Sequence, residues 1–175
     1  MAESLGVSPA RILASLMPAM LALLCVVLVN LPVTFTGGLL PPPLIALAPI
    51  YFWVLARPDL MPPVAVLIIG LAEDLLSGGP PGAWAAGFLT AYWVADQQRE
   101  MFAGLSGIGA VIGFAAAMFI GGAAAFLLVS VVYWRPAPLA PLLLESVVTV
   151  AFYPLLAVPL AWMHHNIVGA FRGDD

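Results

Sequence analysis

Glu73 and Asp74 stand side by side near the end of an apolar run, PVAVLIIGLAEDLLS, and a Gly-Gly-Pro-Pro-Gly stretch follows it. A carboxylate inside a membrane span is costly, so its presence there points to a function by default. Gly70, Glu73, Asp74 and Ser77 recur at i, i+3, i+4 and i+7, which is one face of a helix. That face is small and polar. Leu67, Ile68, Ile69, Leu71 and Leu75 supply apolar surface around it. The polar face is expected to turn toward protein and away from lipid. Two readings of Asp74 follow. In one, Glu73 and Asp74 only mark the outer end of a span, where water reaches them. In the other, Asp74 accepts hydrogen bonds from a neighbouring helix backbone or from Ser77, or pairs with Arg135, and so shapes a groove for a partner.

Other chemistry is sparse. The chain has no Walker loop, no GxSxG elbow and no HExxH motif. Adjacent acids on a helix point in different directions and do not form a glycosidase pair. Cys25 is the single cysteine, so it can join neither an intrachain disulfide nor a multi-cysteine metal site. His164 and His165 are neighbours whose side chains diverge by about 100° on a helix, a poor chelating geometry. No catalytic residue, cofactor or metal is expected, and the chain is not expected to be an enzyme.

The elements carrying these residues are hydrophobic. Of 175 residues, 63% are hydrophobic and 8% charged, against about half and a quarter in a soluble domain. The mean hydropathy is +1.11. A soluble fold would have no core large enough for this much apolar surface, so an all-α integral membrane protein is expected. The five basic residues are all arginines and the formal net charge is −4, so no basic patch exists for nucleic acid. One span needs about 20 apolar residues, and the run lengths predict a single membrane domain of six. These cover about residues 12–33, 43–56, 60–77, 83–96, 105–132 and 139–163.

Several details accompany that division. Pro18 is expected near the start of the first span, and the apolar run there is too long for a cleaved signal peptide. Thr34 to Pro43 reads as an irregular turn, Pro49 as a kink in a short second span, and Asp96 to Glu100 as a solvated turn after the fourth. Gly109, Gly113, Ala117, Gly121 and Ala125 form a small-residue ladder in the fifth span, which favours close helix packing. The fourth and fifth spans together offer small and aromatic residues for an exposed groove.

The stretch YFWVLARPDLMP, followed by GLAEDLLSGGPPG, resembles the MreD family of bacterial rod-shape membrane proteins. The likeness is concentrated in Tyr51 to Gly82 and centres on Asp74-Leu75-Leu76-Ser77-Gly78 with Gly82; Arg57 and Pro58 belong to its first half. Where the family pattern has an apolar residue before the aspartate, this chain has Glu73. The resemblance implies a non-catalytic subunit of the cell-elongation complex in the inner membrane. It would help maintain cell shape and organise peptidoglycan synthesis by binding MreC, within an assembly that includes RodA, a penicillin-binding transpeptidase and MreB. It also implies a fold similar to the substrate-binding subunits of energy-coupling-factor transporters.

That last similarity opens an alternative, a small-molecule-binding transporter subunit. A third reading is an ion-coupled carrier using Glu73, Asp74 and Glu145. Orientation comes from arginine placement. With six spans, Arg11, Arg57, Arg99 and Arg172 share one side and Arg135 alone takes the other, so both termini are expected in the cytoplasm. Glu73, Asp74 and Glu145 then lie near the outer leaflet.

Overall fold

The computed structural model describes residues 9–31, 41–102 and 107–168. Among them the chain is all-helical. Six α-helices follow one another: α1 (Pro9–Val29), α2 (Leu47–Ala56), α3 (Pro63–Ser77), α4 (Ala83–Phe102), α5 (Ile108–Tyr133) and α6 (Leu139–Met163). A short 3₁₀ turn, Pro58–Leu60, precedes α3, and a wide turn, His164–Val168, extends α6.

α2 lies at the centre. Leu47, Ala48, Pro49, Ile50, Tyr51, Trp53 and Val54 are all buried, and a helix that is apolar on every side must be surrounded. It touches α1, α4, α5 and α6. Its 10 residues make a helix of about 15 Å, half the thickness of a bilayer core. Tyr51 meets Phe114 of α5 edge-on at 5.4 Å, and Phe114 stacks on Tyr153 of α6 at 4.1 Å. Leu44, just before α2, donates its N–H to Thr149 Oγ1 at 2.9 Å, which ties the entry of α2 to α6.

Among the described helices, α4 and α5 pack together most extensively. A Cβ built on Gly121 would lie 2.6 Å from the Gly87 carbonyl oxygen, so the two backbones are nearly in contact. Gly113, Ala117, Gly121 and Ala125 are all buried, and Gly121 and Ala125 lie in this seam against Gly87. Part of the small-residue ladder, Gly121 and Ala125, is therefore used within the chain, against Gly87 of α4.

Other expectations are corrected by helix boundaries. α1 starts at Pro9, so Pro18 falls in its interior, where it removes a helical hydrogen bond. Pro49 falls in the first turn of α2, where a missing N–H costs little, and is not a mid-helix kink. Asp96 to Glu100 is not a turn but part of the last two turns of α4; Arg99 near that C-terminus suits the helix dipole and lies 4.0 Å from Asp96. α3 begins at Pro63, after the 3₁₀ turn. The irregular turn expected from Thr34 falls mostly outside the described residues, as do Arg172 and both chain ends.

α5 and the helical run Leu139–Asn166 are each long and apolar enough to cross a membrane. Only 28% and 17% of their apolar windows are buried in the protein, whereas the core helix of a soluble domain would be mostly covered. Ile112, Leu127, Val131, Val147, Leu155 and Val158 point outward from this pair. So large an exposed apolar face supports a place in the membrane.

Candidate functional site

Among the described residues, Asp74 is the side chain with the most hydrogen bonds. It projects from the end of α3 into the start of α4, across the loop Gly78–Gly82. Its Oδ2 accepts the N–H of Gly82 at 2.8 Å and of Ala85 at 3.2 Å. Its Oδ1 accepts the N–H of Trp84 at 2.7 Å. A helix start leaves its first N–H groups without helical partners, and here they are fully accounted for. Asp74 takes Gly82, Trp84 and Ala85; the Pro80 carbonyl takes Ala83 at 3.2 Å; and Ala86 begins the regular ladder by donating to Gly82 at 3.0 Å. The carboxylate faces the positive end of the α4 dipole, and charge-assisted bonds of this kind are among the strongest a backbone makes.

The surrounding sequence makes that reach possible. Gly78 caps α3 at φ +68° and Gly82 sits at φ +92°, conformations that L side chains rarely adopt, so the chain reverses within five residues. Gly70, one turn before Asp74, lies against the first turn of α4. A Cβ there would come within 2.4 Å of Ala85 Cα, so any other residue would push the two helices apart. Only 3% of Asp74 is exposed, which places it in protein rather than at a solvated helix end.

Glu73 is equally buried but serves a different helix. Its Oε1 accepts Asn30 Nδ2 at 2.9 Å, and the same amide donates to the Val26 carbonyl at 2.9 Å. Glu73 thereby fastens α3 to the end of α1. Glu145 of α6 lies near enough for the two carboxyl groups to interact electrostatically, while its own carbonyl accepts Thr149 Oγ1 at 2.7 Å. Asn30, Glu73, Asp74 and Glu145 thus gather at one end of the bundle.

The remaining candidates divide. Ser77 is exposed, and its hydroxyl reaches the backbone carbonyl of Asp74, at a long 3.5 Å, not the carboxylate. Arg135 sits in the exposed turn after α5, and the partners of the Asp74 carboxylate are backbone amides, so the expected Asp74–Arg135 pair gives way to them. Arg57 and Pro58 belong elsewhere. Pro58 opens the 3₁₀ turn, and Arg57 grips Asp59 with Nε at 3.0 Å and Nη2 at 2.8 Å. That hydrogen-bonded guanidinium holds the Asp59 carboxyl below the usual carboxylate range.

His164 packs edge-on against Trp53 at 5.5 Å and Phe52 at 6.1 Å. Among the described residues no cluster of His, Cys, Asp or Glu could hold a metal ion.

The sequence reading missed the role of Asn30, although a polar residue late in an apolar span was a readable signal. It also missed Thr149, which looks like an ordinary helix threonine until α2 arrives beside it. Chemically, the Asp74 carboxylate has given three of about four acceptor positions to amides and is poorly placed to act as a base. Its geometry suits a clasp between two helices. No family model, no curated protein and no solved structure matches the chain.

Proposed function

We propose that the protein is a non-catalytic, multi-pass inner-membrane subunit that presents a rigid helical surface to another membrane protein. The observation that carries this reading is the Asp74 clasp. Asp74 and Glu73, equally buried on α3, are committed to joining helices and not to chemistry. With the resemblance of Tyr51 to Gly82 to the MreD family, the partner is MreC and the setting is the cell-elongation complex. In that setting RodA, a penicillin-binding transpeptidase and MreB are the wider neighbours. The six helices, with a fold like the energy-coupling-factor binding subunits, are then six spans.

Contacts at the two ends support that alternation. Asn30, Glu73 and Glu145 meet at one end, and Trp53 and His164 at the other, beside Arg57. Arg11 at the start of α1, Arg57 before α3 and Arg99 near the end of α4 then share a side, the cytoplasmic one by the positive-inside rule. Depletion is expected to turn rod-shaped cells round, and MreC is expected to be recovered with the protein from mild detergent. Normal shape with no MreC recovered would reject the reading.

One observation favours a small-molecule-binding subunit as the second reading. Tyr51 Oη is a buried polar atom without a hydrogen-bond partner among the described residues, and a small polar guest beside α2 would satisfy it. Specific uptake or retention of such a compound by the purified protein, lost in Tyr51→Phe, would favour it over the scaffold.

A further inference from the structure

The turn after α5 is built differently from the clasp. The α5 helix ends with Trp134 at φ +52°, a conformation side-chain-bearing residues seldom take. It is held there by the Trp134 N–H on the Val131 carbonyl, at 3.4 Å, and by the Ala137 N–H on Ser130 Oγ, at 3.1 Å. The result is an indole that is 92% exposed, standing beside a cleft of about 360 Å³. Phe126, Ser130, Val131, Trp134, Arg135 and Pro136 line it.

Two polar groups of this cleft keep donors without a partner among the described residues. Among the described residues the ion pairs are Arg57–Asp59 and Arg99–Asp96, and Arg135 is in neither. Ser130 accepts from Ala137 but, unlike Thr90, Ser146 and Thr149, does not turn its hydroxyl back onto its own helix. A cation and a hydroxyl donor thus share a cleft whose other walls are apolar. The cleft lies at the end of a helix long enough to cross a membrane, where indoles settle at the headgroup level.

We infer that this cleft binds the headgroup phosphate of an anionic phospholipid. Arg135 and the Ser130 hydroxyl take the phosphate oxygens. The Trp134 ring lies at the glycerol level, and Phe126 and Val131 face the upper acyl chain. Phosphate suits a guanidinium because its oxygens match the planar fork of donors. A net-anionic lipid is preferred because a zwitterionic one carries its own cation to the same phosphate. The site rests on the membrane reading above but not on the identity of the partner protein.

The test uses the full-length protein in phosphatidylcholine vesicles containing a minor fraction of acyl-brominated phosphatidylglycerol or acyl-brominated phosphatidylcholine, read by tryptophan fluorescence. The expected result is a preference of about fivefold for phosphatidylglycerol, the effect of one cation at a membrane surface. Arg135→Gln should abolish the preference, Arg135→Lys should retain part of it, and Trp134→Phe should remove the signal that reports it. Equal quenching by both lipids, or a preference unchanged in Arg135→Gln, would overturn the site while leaving the protein embedded. A preference that survives Trp134→Phe would place the lipid elsewhere and equally overturn it. Relief by added inorganic phosphate would make this a free-phosphate site instead. No quenching by either lipid would reject the membrane reading itself.

Discussion

The α3–α4 corner and the α5–α6 hairpin solve the same problem in opposite ways. Both join two successive helices at the same end of the bundle. At the first, a buried carboxylate reaches across a five-residue reversal and takes three amides, and a glycine lets the backbones touch. At the second, the turn is exposed, its arginine has no ion-pair partner among the described residues, and the long helices turn most of their surface outward. In lipid, apolar contacts between helices replace apolar contacts with acyl chains, so they add little net stability. Close packing and polar bonds must provide it. The comparison therefore separates a corner whose geometry is set by the protein from a hairpin that, under the proposed membrane reading, lipid would hold in place.

The largest effect should come from breaking the clasp. Asp74→Leu leaves three amides at the α4 start without acceptors, and a loss of about 2–4 kcal/mol is expected, measured as thermal unfolding in detergent. Under the proposed function, MreC recovery should fall with it. An unchanged melting temperature would return Asp74 to a simple helix end. Next comes Gly70→Ala, which drives a methyl into Ala85 Cα and should cost about 1–3 kcal/mol. Gly121→Ala should behave alike at the α4–α5 seam. Leu155→Ala and Val158→Ala on the outer face of α6 should stay within about 0.5 kcal/mol, and a large loss there would erase the contrast.

Smaller effects sharpen the picture. Glu73→Leu unties Asn30 but leaves the amides of α4 satisfied, so it should cost less than Asp74→Leu, about 1 kcal/mol. The least should come from Asp59. Its folded carboxyl titrates below its unfolded value because Arg57 holds it, so its contribution is present above the unfolded pKa and is lost as pH falls through the folded one. The pair is well exposed, so Asp59→Asn should only slightly flatten the acid limb of a melting-temperature profile.

The all-helical, apolar character and the helical face of Gly70, Glu73 and Asp74 were legible because composition and a 3.6-residue period are local properties. The last helix, α6, was legible for the same reason: its start follows the prolines before it, although helical structure continues through His164 and His165 where an end was expected. What Asp74 binds was not legible. Backbone amides have no sequence signature, and a carboxylate that caps the next helix rather than its own looks like any acid near a turn. The ladder of small residues showed that α5 packs closely, but not that Gly87 of α4 would be the surface it meets. The Asp96–Glu100 patch misled because its charge suggested a loop, while its residues continue a helix without strain.

The clasp itself is tested most directly by amide hydrogen exchange at Gly82, Trp84 and Ala85 in the wild-type protein and in Asp74→Asn. Wild type should protect all three. The asparagine variant, with a neutral acceptor and an added donor, should exchange them about 10- to 100-fold faster while α5 remains unchanged. Equal protection in the two proteins would contradict a structural role for the Asp74 carboxylate.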